Sequence, residues 1–190
     1  MPTHVNPVII AVVAIAVLVL IGIAVFFSER QKKKTALRQR FGKEYDRAVQ
    51  EKGSETKAQV LLDERAKRVE AFKLRDLDPS ERERFAERWR AVQARFVDDP
   101  RGAVLEADDT VVALMGACGY PMADFEQRAA DLSVNHSRVV DNYRAAHDIA
   151  VRHRQTPAST EDLRQAMIYY RSLFEDLLGE RKAGGIREVA

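Results

Sequence analysis

Three of the four histidines, His136, His147 and His153, lie in one stretch of the chain, and gathered imidazoles hold metal ions or move protons. Their spacing argues against both. On helices His136 and His147 share a face but stand about 16 Å apart along the axis, while His147 and His153 point about 120° apart. No Glu-x-x-His or His-Glu-x-x-His occurs, so no metal ligand is expected. His147 is expected on a bundle flank. His153 is expected at a helix end, where the dipole favours its charged form.

The nucleophile candidates are equally spare. Cys118 is the one cysteine; it has no basic neighbour in sequence and falls on an apolar seam, which makes it a small core hydrophobe rather than a thiolate. It forms no intrachain bridge and says nothing of an oxidising compartment. No Gly-x-Ser-x-Gly elbow is present, and GERKAGG at residues 179–185 lacks the Gly-Lys-Ser/Thr ending of a phosphate loop. The pairs Asp98 with Asp99 and Asp108 with Asp109 are not evidence for acid and base catalysis. No catalytic residue and no cofactor are therefore assigned. The one place where a site assembled from separate helices is expected is the sharp break GACGYPM at residues 116–122, with Tyr143 and His147 as its wall.

These side chains sit on elements whose periodicity is helical throughout. Asp78-Pro79-Ser80-Glu81 predicts an N-cap, a first-position proline and a capping box. The helix is expected to run to about Val97, with Phe85, Trp89, Val92 and Phe96 on one stripe and Glu81–Arg84 and Glu87–Arg90 pairs on its wetter sides. Asp99-Pro100 repeats that start, and Val104, Ala107, Val111, Leu114 and Cys118 step 3, 4, 3, 4 to Gly119. A shorter helix carries Phe125, Ala129 and Leu132. A polar break over residues 133–137 follows, with Asn135 as the expected cap of the next helix, whose stripe is Val139, Tyr143, Ala146 and Ala150. After a break at Gln155-Thr156-Pro157, Ser159 and Asp162 predict an acidic capping box, with Leu163, Met167, Tyr170, Phe174 and Leu177 in register before Gly179. Upstream, Ser54 caps a helix carrying Leu62, Ala66, Val69 and Phe72 that is expected to end near Lys73. The class is all-α: short Pro- or Gly-marked connections favour an antiparallel helical bundle. Aromatic residues make up 7% and charged residues 32% of the chain, which suits solvated helices better than an aromatic-rich sandwich.

The N-terminal part differs in kind. No Lys, Arg, Asp or Glu precedes Glu29, and VIIAVVAIAVLVLIGIAVFF at residues 8–27 is a run of apolar residues and glycine. As a helix it spans about 30 Å, the thickness of bilayer hydrocarbon. It is too long for a signal peptide, whose basic n-region and small-x-small site are also missing. The flank carries Arg30, Lys32, Lys33, Lys34, Arg38, Arg40 and Lys43 against Glu29 and Glu44, and the positive-inside rule puts it in the cytoplasm with the N-terminus outside. These seven basic residues are the expected membrane-surface contacts. Leu37, Phe41 and Tyr45 recur at four-residue spacing, so the helix is expected to continue towards Gly53. The expected organisation is an extracytoplasmic tail over 1–7, a transmembrane helix over 8–27, a basic juxtamembrane helix or linker over 28–53, a bundle over 54–179 and a flexible tail over 180–190. The run has no Gly-xxx-Gly dimer signal.

The segments FGKEYDRAV, RFAERWRAVQARFVDDP, GYPMADFEQRAADLSV and TEDLRQAMIYYRSLFEDLL together resemble a group of uncharacterised bacterial single-span membrane proteins with helical cytoplasmic parts. The resemblance covers most of residues 37–178. It implies a bacterial source but no activity, and no residue inherits a role from it. Asn135-His136-Ser137 departs from the pattern, standing where an acidic residue and a proline would start a helix.

The leading expectation is a membrane-anchored, helical protein-interaction or scaffold module in the bacterial inner membrane, with the bilayer and another protein as partners. The rivals are a small-ligand-binding protein or enzyme with an inter-helix site, and a membrane-surface sensor using the basic segment. Self-association through an apolar stripe stays open. Nucleic acid is not an expected partner, because the aromatics lie on apolar stripes and the basic cluster abuts the membrane.

Overall fold

A computed structural model describes the backbone of residues 7–155 and 159–179 and the side chains of residues 16–152 and 159–179. Among the described residues there are eight helices and no strand: α1 (Pro7–Phe41), α2 (Lys43–Lys52), α3 (Glu55–Glu70), α4 (Pro79–Arg95), α5 (Pro100–Ala117), α6 (Phe125–Asn135), α7 (Val140–Gln155) and α8 (Thr160–Leu178). The chain is all-α and its larger part is a helical bundle. It divides into two compact units after Gln39.

In the first unit α1 is helical without a break. Among the described residues no helix is long and apolar enough to cross a membrane. The side chains of residues 8–15, the first part of the expected span, lie outside the described residues; those of 16–27 are described, and Val17 to Ile21 are each roughly half exposed or more. Residues 1–6 of the expected tail over 1–7, the expected tail over 180–190, and residues 156–158 after α7 also lie outside the described residues, while Pro7 opens α1.

Capping sets the helix starts in the second unit. Asp78 Oδ1 accepts from the Glu81 amide at 2.8 Å, while the Asp78 amide donates to Glu81 Oε2 at 3.1 Å, a complete capping box with Pro79 behind it. Ser159 and Asp162 form the same box at α8. Asp99 and Asp124 cap α5 and α6 by accepting from the Gly102 and Gln127 amides, each at 2.9 Å. Ser54 occupies the N-cap position of α3 without a side-chain cap bond.

The apolar stripes then dictate the packing. α5 lies between α4 and α8 and also touches α7, α7 packs on α8 and α6, and α3 packs on α6 and α2. Val111, Leu114, Leu132, Tyr143, Tyr170 and Leu173 are buried in one core. Trp89 stacks on Phe174 at 4.7 Å between ring centroids, a contact that contributes about 0.5–1.5 kcal/mol beyond the buried area. The α2–α3 hairpin buries Tyr45, Ala48, Ala58 and Leu62, and Gln59 Nε2 donates to Tyr45 Oη at 3.3 Å.

One buried charge ties that hairpin to the bundle. Glu44 of α2, 1% exposed, accepts from Arg144 Nε of α7 at 3.2 Å and from Arg65 Nη1 of α3 at 3.5 Å, with Arg47 Nε 3.4 Å away. A carboxylate out of water needs such partners. Asp131 of α6 is held in parallel by Arg68 Nη2 at 2.5 Å and Gln127 Nε2 at 2.8 Å.

Several local expectations are corrected. Asn135 does not cap α7; it is the last residue of α6, and His136 is the C-cap. The reason is that Ser133 is buried inside α6 with its hydroxyl donating to the Ala130 carbonyl at 2.6 Å, so a polar residue satisfies itself locally without breaking the helix. The His136 carbonyl then accepts from the Val139 and Val140 amides and opens α7. α3 stops at Glu70 rather than near Lys73, and α4 at Arg95 rather than Val97. Glu81 pairs with Arg75, not Arg84, and Arg90 with Glu83, not Glu87. The first exchange follows from the loop before α4, which folds back on the helix start.

Candidate functional site

A cleft of about 830 Å³ opens where the loop between α3 and α4, the turn after α5, the α6–α7 corner and the end of α8 meet. Its size falls in the range of ligand pockets. Leu74, Leu77, Cys118 and Leu178 give it apolar walls, and Arg75, Arg82, His136, Arg138 and Asp176 line it with charge.

Backbone geometry builds the cleft. Gly119 takes φ +91°, and a Cβ there would stand 2.4 Å from the Lys73 carbonyl oxygen. Only glycine permits both the conformation and the approach. The Arg75 amide then donates to the Cys118 carbonyl at 3.0 Å, fastening the loop to the turn. Arg82 donates to the Leu178 carbonyl, placing a cation at the C-terminal end of α8, where the dipole favours it.

The polar pair in the cleft is His136 with Asp176, Nδ1 to Oδ2 at 2.5 Å. The carboxylate engages Nδ1, leaving Nε2 as the ring atom able to meet a ligand. Tyr120 lies near, its ring centroid 6.1 Å from that of His136. Burial pushes its phenol up to about 12, against the opposing hydrogen bond to Asn135. Burial likewise pushes the Cys118 thiol above its ordinary value, so phenol and thiol are both neutral near pH 7. Arg75 is held above the ordinary arginine range by its hydrogen bonds to Glu81. Such a set offers hydrogen bonds and charge, and its thiol and phenol are not activated as nucleophiles.

The expected wall is split. Tyr120 faces the cleft, whereas Tyr143 and His147 belong to another cluster on Phe125, whose ring stacks on His147 at 3.6 Å and lies 5.1 Å from Tyr143. Tyr143 Oη accepts from Arg128 Nε at 3.3 Å. Burial raises the carboxyl of nearby Asp108, while the His147 charge and a Tyr170 hydrogen bond oppose the shift. His153 lies in the last turn of α7, and its side chain is outside the described residues. Among the described residues no three His, Cys, Asp or Glu side chains are grouped to hold a metal ion.

Of the seven basic residues, Arg30, Lys32, Lys33, Lys34 and Arg38 lie on α1 in the first unit, and Arg40 and Lys43 lie in the second. Arg30, Lys34 and Arg38 recur every four residues and share a face. The Arg30 guanidinium carbon is 4.6 Å from the centroid of the Phe26 ring. Lys32 pairs with Glu29 at 3.1 Å, Arg40 with Glu70 at 3.9 Å, and Lys43 with Asp141 at 3.7 Å.

Two features had no sequence signal. His136 and Asp176 stand 40 positions apart, and Glu44 reads locally as one more acid in a charged segment. Compared with protein-family models, curated proteins and solved structures, the chain gives no match in any of the three.

Proposed function

We infer that this is a single-span protein of a bacterial inner membrane, with its N-terminus outside and its helical unit serving as a cytoplasmic protein-interaction module. The observation that carries the reading is on α1. Val17, Leu18, Val19, Leu20 and Ile21 are all 47–67% exposed, and five consecutive helical positions sweep the full circumference at about 100° each. A helix apolar on every side belongs in lipid or inside protein. The sequence continues that character back to Val8, long enough to span hydrocarbon, and the basic residues that follow supply the orientation.

The test is to add protease to intact spheroplasts carrying an epitope after Ala190. Protection that is lost only on lysis, with the protein retained in membranes at alkaline pH, is expected. Digestion in intact spheroplasts, or release into the soluble fraction, overturns the topology. For the module, photo-crosslinkers at Arg138 and at an exposed control position such as Glu64 should differ, with a discrete protein adduct at Arg138 alone.

A second reading is favoured by the cleft volume and the His136–Asp176 pair: a small polar ligand bound there. Saturable thermal stabilisation by one metabolite, abolished by Asp176→Asn, distinguishes it from a scaffold.

A further inference from the structure

In α1 the apolar run that ends at Phe27 gives way at once to charge. Residues 28–39 hold Arg30, Lys32, Lys33, Lys34 and Arg38 against Glu29 alone, and all of them belong to the first unit. Glu29 pairs with Lys32 at 3.1 Å, so five cations against one carboxylate leave four in excess. Arg30, Lys32, Lys33 and Arg38 are exposed and Lys34 is half-buried. Because the helix runs unbroken from Pro7 to Phe41, these groups keep fixed heights and directions relative to the apolar run.

The directions make a ring. At about 100° per residue Arg30, Lys34 and Arg38 share one side, and Lys33 and Lys32 carry the charge on around the axis until cations cover about 240° of the circumference. The remaining gap holds Ser28, Gln31, Thr35 and Gln39, all able to donate hydrogen bonds. Leu37, the one large apolar side chain of the stretch, is buried, so no open apolar side is left. A helix lying flat on lipid needs one, whereas a helix that crosses the bilayer does not. The heights agree with crossing. The headgroup zone extends about 5–8 Å beyond the hydrocarbon on each side, and Arg30 to Lys34 stand about 4–10 Å beyond Phe27 at the helical rise. The Arg30 guanidinium carbon lies 4.6 Å from the centroid of the Phe26 ring, so this side chain runs back one turn and carries its charge to the edge of the apolar run.

We propose that residues 30–38 of α1 gather a shell of anionic phospholipids around the helix, with Arg30 on headgroup phosphates at the hydrocarbon boundary and Lys32, Lys33 and Lys34 attracting negative headgroups one level further out. This rests on the single-span reading and adds the lipid class to it. A guanidinium fork matches phosphate oxygens in pairs, while an ammonium acts as a point charge. Phosphatidylcholine also offers a phosphate, but its choline cancels the charge. An unneutralised basic ring at headgroup height therefore selects lipids of net negative charge. Ser28, Gln31, Thr35 and Gln39 are left to meet the uncharged oxygens of the same headgroups.

The experiment places the full chain in phosphatidylcholine vesicles with a trace of spin-labelled phosphatidylglycerol or spin-labelled phosphatidylcholine, and compares the motionally restricted fraction of each by electron paramagnetic resonance. Phosphatidylglycerol should be favoured about two- to fivefold at low salt, and the preference should fade in about 1 M salt, where the screening length falls to about 3 Å. Replacing Lys32, Lys33 and Lys34 together by Gln should remove most of it. Arg84→Gln, Arg88→Gln and Arg101→Gln, at exposed positions of the second unit, remove as much charge away from α1 and should leave the preference unchanged. An equal loss there assigns the attraction to overall charge and overturns the proposal. Alkaline extraction of the same vesicles separates two failures. Release of the protein overturns the single-span reading and the lipid shell with it. Retention without a preference for phosphatidylglycerol, as an acidic protein partner for these cations would give, overturns the shell alone.

Discussion

Glu44 and Arg144, one hundred positions apart, meet in the interior with the guanidinium Nε 3.2 Å from the carboxylate Oε1. This contact joins α2 to α7, and Arg65 brings in α3. Glu44→Gln keeps the shape but removes the buried counter-charge of Arg65 and leaves Arg144 with only the exposed Glu126. Unpairing a buried charge costs about 3–5 kcal/mol, and urea unfolding of the second unit should register that loss. A cost under about 1 kcal/mol would sink the account. Adding Arg144→Met to the variant should recover part of the loss, because it removes a buried cation that has lost its buried partner.

Gly119→Ala should destabilise by about 2 kcal/mol or more, since it combines a positive φ with a Cβ driven into the Lys73 carbonyl oxygen. Gly22→Ala, whose Cβ meets nothing within 4 Å, is the control. Equal unfolding midpoints for the two would show that the loop is not held against the turn as described.

Two sets of carboxylates should give opposite pH slopes. Asp78, Asp99 and Asp162 are held below their ordinary 3.8, Asp78 and Asp99 chiefly by the amides of Glu81 and Gly102, and Asp162 by the Ser159 hydroxyl. Their native forms bind protons less readily than the unfolded chain. Their contribution is complete above that ordinary value and disappears as pH falls through the native one. Replacing Asp78 by Ala should therefore flatten the acid limb of a stability profile.

Asp108 runs the other way. Burial raises its carboxyl, so the native state holds its proton more tightly and stability falls as pH climbs from 3.8 through the native value. Asp108→Asn should gain on the parent protein as pH rises from 4 to 7. A difference that does not change with pH would mean that Asp108 carries no native-state shift.

Cys118 is 7% exposed and its thiol is raised by burial. Alkylation of the native protein at pH 7 should be slower than that of a free cysteine by about tenfold or more, and should reach the free rate in denaturant. A native rate equal to the free one would reveal an accessible thiolate.

Local chemistry made most of the helices readable. Asp78-Pro79, Asp99-Pro100 and Ser159 with Asp162 start their helices as expected because capping acts over three or four residues. The stripes through Val111, Leu114, Tyr143 and Tyr170 are buried as their spacing requires. Asn135 misled because a polar residue reads the same inside a helix that satisfies it as in a loop.

Which charges would meet was not readable. Glu44 with Arg144, Asp131 with Arg68, and His136 with Asp176 are brought together only when helices distant in sequence pack. In the linear chain each is an ordinary polar residue. Periodicity and caps are short-range properties written in neighbouring residues, whereas a buried ion pair or a cleft depends on how several apolar faces settle against one another, and that arrangement has no local signature.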